Sequence, residues 1–187
     1  ASYFQSVNPL AVIALAPIMT IVWGFLYARK LEPSSPKKMA IGLGLVALGY
    51  VVIAIAVKGL GLGEKVSMWW LIGLYIIHTI GELCLSPIGL SMVSKLAPLR
   101  LSSLMMGTWF LANAAANKFA GTLSALIPGG EDGTGGATSF LGFQITNLYE
   151  FFILFIIMSG VAAAILFLLS SWLEKRMHND HIEGVTE

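Results

Sequence analysis

Apolar residues fill five long segments of the chain, and short polar or glycine-rich stretches separate them. About 20 apolar residues in a helix span the roughly 30 Å hydrocarbon core of a bilayer, because each residue rises about 1.5 Å. An open strand edge cannot satisfy its hydrogen bonds in lipid, so each segment is predicted to be a helix. The five predicted spans are about 2–28, 39–57, 67–94, 99–127 and 147–172, followed by a cytoplasmic tail over 173–187.

The composition supports a membrane protein. Of the 187 residues 57% are hydrophobic and 11% are charged, whereas roughly a quarter of a soluble domain is charged. Eleven Lys and Arg against ten Asp and Glu leave no basic excess for binding nucleic acid. The single cysteine, Cys84, excludes an internal disulfide framework. The predicted fold class is all-α: a polytopic membrane protein whose partner is the lipid bilayer.

Basic residues predict the orientation of the chain. Eight of them fall on one side of a five-helix zigzag: Arg29, Lys30, Lys37, Lys38, Lys95, Arg100, Lys175 and Arg176. The other side holds Lys58 and Lys65. Because cytoplasmic loops are enriched in Lys and Arg, the C-terminus is predicted to be cytoplasmic and the N-terminus external, in an inner or plasma membrane. The start at Ala1 and the odd number of spans lead us to expect the back part of a larger transporter, although processing would give the same start.

Glu82 is the most informative polar residue, because it falls near the middle of the third span. An unpaired carboxylate at the bilayer midplane costs several kcal/mol, so such a residue faces a cavity or a partner, or takes up a proton. Desolvation raises the pKa of a carboxyl group and a nearby cation lowers it, and a group balanced between the two can carry protons. The alternative is a structural glutamate that holds helices together.

Two further polar residues share a helix face with Glu82. His78 lies four residues before it and Ser86 four residues after it, which gives one polar stripe. His78 is either a proton relay or tuning partner for Glu82, or a histidine bonded to a neighbouring helix. Pro87 removes a backbone hydrogen bond and predicts a helix kink beside the acid. The ligand set is incomplete for a metal, so no metal site is predicted.

The fourth span also carries polar residues. Lys118 either pairs with an acid or extends its side chain outward, and Asn113 and Asn117 either tie helices together or line a cavity. Trp109 lies too deep for an interface belt, so it is either core packing or the wall of a pocket. Asn8 precedes Pro9 and is either a cap, if the first helix starts there, or a position inside a kinked helix.

Small residues at every fourth position predict close approach between helix backbones. These ladders are Ala40 and Gly44, Ala112, Ala116 and Ala120, and Gly160 and Ala164. No P-loop, HExxH or GxSxG motif is present in the sequence, so an enzymatic function has no support.

One motif identifies a family. The run from Gly81 to Ser91, GELCLSPIGLS, closely resembles the proton-dependent oligopeptide transporter family of the major facilitator superfamily. The runs KLAP at 95–98, MMGTWF at 105–110 and YFQSVNPL at 3–10 are similar to that family as well. The resemblance covers essentially the whole chain, as helices eight to twelve of twelve.

The resemblance implies proton-coupled symport of di- and tripeptides through a pocket between two six-helix halves, with protons as the coupling ion and no cofactor. Glu82 and Asn8 would hold the peptide's amino terminus, Ser86 would line the pocket, and Trp109 would form a side-chain wall. The family's cationic carboxylate-binding residues, its ExxER motif and the acidic residue of its seventh helix belong to helices outside this chain. Those helices would come from the same or another chain, and this chain alone should not transport.

Two alternatives come from other classes of protein. One is a structural membrane subunit, in which Glu82 and Lys118 hold partner helices together. The other is a small proton or cation channel formed by several copies of the chain.

Overall fold

The computed structural model of the chain describes residues 2–58, 66–98, 100–124, 127, 138–140 and 143–183. Within these, side chains are described for 9–58, 66–95, 97–98, 100–124, 127 and 145–172. Five helices follow one another along the chain: α1 (Ser2–Ala28), α2 (Ser35–Val57), α3 (Met68–Leu96), α4 (Ser102–Ser124) and α5 (Leu148–Glu183). The all-α fold class with five helices is confirmed.

Four of the described helices are long and apolar enough to cross a membrane: α1, α2, α3 and α5. The fourth predicted span coincides with α4, which does not reach the same apolarity. The reason is local, because α4 carries Asn113, Asn117 and Lys118 near its middle. The crossing of the membrane by α4 therefore stays a prediction.

Two helix ends differ from the sequence-based expectation. α2 begins at Ser35 rather than Met39 and includes Pro36 in its first turn. Proline is compatible with a helix start, because the first N–H groups have no partner within the helix. α5 continues to Glu183, so the tail expected after Trp172 is helical over most of its length. Its sequence, Leu-Glu-Lys-Arg-Met from 173 to 177, consists of strong helix formers.

A short β-hairpin, which the sequence analysis did not predict, precedes α5. β1 (Thr138–Phe140) pairs antiparallel with β2 (Phe143–Ile145). The turn from β2 into α5 is closed by Glu150, whose carboxylate accepts hydrogen bonds from the backbone N–H and the hydroxyl of Thr146, at 2.7 and 2.6 Å. An acidic side chain that reaches back from the first helical turn is a common way of capping a helix start.

The turn from α1 to α2 is built without glycine. The N–H of Leu31 donates to the carbonyl of Leu26, and the N–H of Lys30 donates to that of Tyr27, both at 2.9 Å. This is the hydrogen-bond pattern of a Schellman helix end, in which one residue takes a left-handed conformation. Lys30 occupies that position, with a φ of 56°.

A second set of contacts holds the same turn against α1. Lys38 forms an ion pair with Glu32, and its ammonium nitrogen lies 4.7 Å from the ring centroid of Trp23. The first turn of α2 is thereby attached to the last turns of α1.

α2 is the most enclosed helix. It packs against α3 on one side and α5 on the other, whereas α1 and α4 contact α3. Its buried residues are Pro36, Ala40, Gly42, Gly49, Ile53, Ala54 and Val57. Large apolar side chains of the outer helices are exposed, such as Ile13 on α1 and Leu168 on α5. Exposed apolar side chains on long apolar helices suit contact with the hydrocarbon core of a bilayer.

Candidate functional site

The site is built on α3, and its first determinant is the crossing of α3 with α2. A β-carbon on Gly42 would lie 2.8 Å from the carbonyl oxygen of Gly81, and one on Gly81 would lie 2.9 Å from the carbonyl oxygen of Gly42. The two backbones touch at this point, because neither residue has a side chain to keep them apart. Cys84, which is buried, packs beside the crossing, as does Leu85.

His78 lies one turn before this crossing and packs into α2. A β-carbon on Gly49 would lie 2.4 Å from its Cδ2 atom, so the imidazole occupies the space above that glycine. The Nε2 atom of His78 is 3.2 Å from the carbonyl oxygen of Val46. The ring also meets Tyr50 edge-on, with 4.7 Å between the ring centroids. These contacts are those of a histidine bonded to a neighbouring helix.

Aromatic rings extend this packing from α2 to α5. The Tyr50 ring lies 5.1 Å from that of Phe155 and 6.4 Å from that of Phe152, measured between centroids. Phe151 contacts Phe155 in turn and is buried against Ile145 at the end of the hairpin. His78 is therefore joined through Tyr50 to the base of α5.

Glu82 lies at the centre of α3, because the helix runs from Met68 to Leu96 and each end is 14 residues away. At about 1.5 Å per residue, this places the carboxylate roughly 20 Å from either end of the helix. The side chain is exposed, as are those of Ser86 and Pro87, whereas Gly81 is buried against α2. The helix continues through Pro87. Successive residues of a helix differ by about 100° around its axis, so Glu82 is exposed beside the Gly81 contact with α2.

Trp109 of α4 packs on the backbone of α3 below Glu82. A β-carbon on Gly89 would lie 2.3 Å from the Cη2 atom of the indole and 3.1 Å from Cζ2 and Cζ3. The six-membered ring of Trp109 therefore rests on Gly89 itself. Seven residues separate Gly89 from Glu82, which is nearly two turns, or about 10 Å along the helix.

The remaining predicted residues lie apart from these contacts. Asn8 falls inside α1, which begins at Ser2, so it is not a helix cap; its side chain is outside the described part of the structure. Asn113, Asn117 and Lys118 are exposed on α4. The described contacts show no ion pair for Lys118. Over the residues that the structure describes, no group of three His, Cys, Asp or Glu side chains could hold a metal ion.

The glycines that carry the helix contacts were missed in the sequence analysis. Gly42, Gly49 and Gly89 each support a close approach, whereas in the predicted ladders only Ala40 is buried. No described atom lies within 4 Å of a β-carbon added at Gly44 or Gly160, and Ala112, Ala116 and Ala120 are exposed. Gly42 and Gly49 are seven residues apart and therefore share one helix face. This spacing is the signal that could have indicated these two contact positions.

A family model described as the POT family matches residues 1–135 of the chain. The chain belongs to the POT family. The resemblance drawn from the GELCLSPIGLS run is therefore confirmed.

Relatives within the POT family are named as transporters and permeases. The peptide transporter YePEPT of Yersinia enterocolitica is 39% identical over 127 residues, which are 67% of this chain and 25% of that protein. Dipeptide and tripeptide permease A of Proteus mirabilis is 36% identical over 129 residues, 69% of this chain and 26% of the permease. The chain thus spans about a quarter of the length of these curated relatives.

Solved structures of POT transporters share the fold. A POT family transporter in complex with a thioalcohol-conjugated peptide matches with a TM-score of 0.71 and 34% identity, over 89% of this chain and 30% of that one. The peptide transporter POT in complex with sulfate matches with a TM-score of 0.68 and 34% identity, over 94% of this chain and 31% of that one. The chain therefore shares its fold with about a third of these POT transporter structures.

Proposed function

We propose that this chain is the C-terminal part of a proton-coupled symporter for di- and tripeptides and supplies the half of the pocket that binds the peptide's amino terminus. Membership of the POT family and the names of the relatives support this function. The remaining helices, on the same or another chain, would supply the cationic half that binds the peptide carboxylate.

The observation that carries the proposal is the position of Glu82. Its side chain is exposed at the middle of α3, next to Gly81, which packs on α2. A carboxylate at membrane depth complements an ammonium group, and their attraction is strong where water is scarce. Glu82 is therefore the residue that we expect to bind the substrate's amino terminus.

Three other residues complete this half of the pocket in our proposal. Ser86 is exposed one turn after Glu82, and Trp109 packs two turns below it. Asn8 on α1 would assist in binding the amino terminus, as the family motif implies. Asn113, Asn117 and Lys118 are exposed on α4, so they are available to pack against helices from outside this chain.

Protons are the proposed coupling ion, and no cofactor is required. Glu82 is the proposed proton carrier. Once protonated, its carboxyl group is neutral and binds an ammonium group less strongly, so proton uptake and peptide binding would be coupled at this residue. His78 remains a candidate relay, but its contacts with Val46, Gly49 and Tyr50 favour the structural alternative.

The transporter is proposed to lie in the cell membrane, with the C-terminus of the chain in the cytoplasm and its N-terminus outside. Gly42 meets Gly81 and Gly49 meets His78, so α2 and α3 pack antiparallel. The α1–α2 turn and the α3–α4 turn therefore lie at the same end of this helix pair, and both carry basic residues. The excess of Lys and Arg in cytoplasmic loops supports this orientation.

The test measures peptide binding to the intact transporter through tryptophan fluorescence, with Ala-Ala and N-acetyl-Ala-Ala as ligands. Wild type should bind the free dipeptide and discriminate against the acetylated one, whose amino terminus carries no charge. Glu82→Gln should lose about tenfold or more in affinity for Ala-Ala, and the discrimination should disappear.

Glu32→Gln is the matched control, because it makes the same chemical change in the α1–α2 turn. It should leave both affinities unchanged. An Ala-Ala affinity that is unaltered by Glu82→Gln would remove the assigned role. No peptide-dependent signal in wild type would favour a structural subunit instead, and proton leak from liposomes that hold this chain alone would favour a channel.

A further inference from the structure

Gly89 and Glu82 lie on one side of α3. Seven residues make nearly two full turns of 3.6 residues, so the two positions differ by only about 20° around the helix axis. Trp109 reaches this side from α4 and places its six-membered ring directly on Gly89. The indole therefore packs on the same side of α3 as the exposed Glu82, about 10 Å further along the helix.

The contact leaves no space for a side chain at position 89. A β-carbon there would lie 2.3 Å from the Cη2 atom of Trp109, and ordinary van der Waals contact begins at 3.4 Å. The ring would have to retreat by about 1 Å to accept even a methyl group.

The direction of that retreat follows from the position of the ring. The indole rests on the backbone of α3 at Gly89, so a side chain there would lie beneath the ring. A methyl group at position 89 would stand between the α3 backbone and the indole and would therefore push the ring outward from α3. The displaced ring would take up more of the space beside α3 in which the proposed substrate side chain lies.

We propose that Gly89 is a specificity-determining residue, whose bare backbone sets the position of the Trp109 ring and hence the size of the substrate side chain that fits beside it. This inference rests on the proposed peptide-binding function of Glu82. Gly89 touches no substrate; it acts through Trp109 and is a positioning residue.

The test is competition against labelled Ala-Ala in the intact transporter, with Ala-Ala, Phe-Ala and Ala-Phe as competitors. Gly89→Ala should weaken binding of at least one of the two bulky peptides by about tenfold relative to Ala-Ala. Trp109→Phe removes the atoms that meet Gly89. It should shift the selectivity ratio, the affinity for the bulky peptide divided by the affinity for Ala-Ala, in the opposite direction. In the double variant the effect of Gly89→Ala should largely vanish, because the clash is gone.

Gly107→Ala is the matched control, because Gly107 lies on α4 only two residues before Trp109. No described atom of another residue contacts a β-carbon added at Gly107 within 4 Å. Its selectivity ratio should equal that of wild type. An unchanged ratio in Gly89→Ala, or an equal loss for all three peptides, would overturn the inference. Failure of wild type to bind Ala-Ala at all would instead refute the proposed function. If Gly89→Ala does not fold, an unshifted ratio in Trp109→Phe overturns the inference by itself.

Discussion

Gly42 of α2 and Gly81 of α3 meet backbone to backbone, since a β-carbon on Gly42 would lie 2.8 Å from the carbonyl oxygen of Gly81. Glu82 is the next residue of α3, so this crossing determines how the helix presents the carboxylate. Rotation of α3 about its axis would bring side chains rather than Gly81 against α2 and would separate the two helices.

The crossing predicts opposite effects for two neighbouring glycines of α2. Gly42→Ala should lower the free energy of unfolding by about 1–3 kcal/mol, because the added carbon meets a backbone atom that cannot rotate away. Gly44→Ala should raise it by up to about 1 kcal/mol, because alanine favours a helix and no described atom lies within 4 Å of that position. Thermal unfolding of the purified chain in detergent measures both, and equal shifts would contradict the crossing.

The contact between Gly49 and His78 predicts a coupling energy. Gly49→Ala should destabilise the protein by about 1–3 kcal/mol, because the methyl group takes the place of the imidazole. In a His78→Ala background the same change should be neutral or stabilising, because the ring is gone. A double-mutant cycle of unfolding free energies measures this difference, and additive effects would show that the two residues do not touch.

Transport measurements separate the two roles left open for His78. If the residue is structural, His78→Ala should lower proton-driven uptake and peptide exchange by the same factor, since fewer molecules are folded. A relay would instead require that uptake driven by a proton gradient is lost while exchange at equal pH continues. From its bond to Val46 and its contact with Tyr50, we expect the first result.

The left-handed conformation of Lys30 predicts a stabilising substitution. Its φ of 56° disfavours side chains with a β-carbon, whereas glycine adopts it freely. Lys30→Gly should therefore raise the free energy of unfolding by about 1 kcal/mol. Lys37→Gly makes the same chemical change inside α2 and should lower it. A loss of stability in Lys30→Gly, measured by thermal unfolding in detergent, would count against the described turn.

The proposed orientation predicts which cysteines an impermeant reagent labels in intact cells. Leu31→Cys lies in the α1–α2 turn and Met68→Cys at the start of α3, both at exposed positions. Only Met68→Cys should react from outside, whereas permeabilised cells should show both. Cys84 is 1% exposed and should not compete for the reagent. Labelling of Leu31→Cys in intact cells would reverse the orientation.

The class of protein follows from the sequence by itself. Length and apolarity of a segment decide whether it suits a bilayer, and both are properties of that segment alone. The number of helices, the central position of Glu82 and the family motif could therefore be predicted. The hairpin before α5 could not, because strands of three residues leave no periodic pattern to detect.

Only the tertiary structure decided which small residues bring the helices together. The sequence indicated Gly44, whereas the contacts fall on Gly42 and Gly49. Likewise, His78 and Glu82 share a predicted stripe, yet His78 packs into α2 and Glu82 is exposed. The physical reason is that a contact depends on the rotation and register of two helices distant in sequence, and neither quantity is a property of one helix alone.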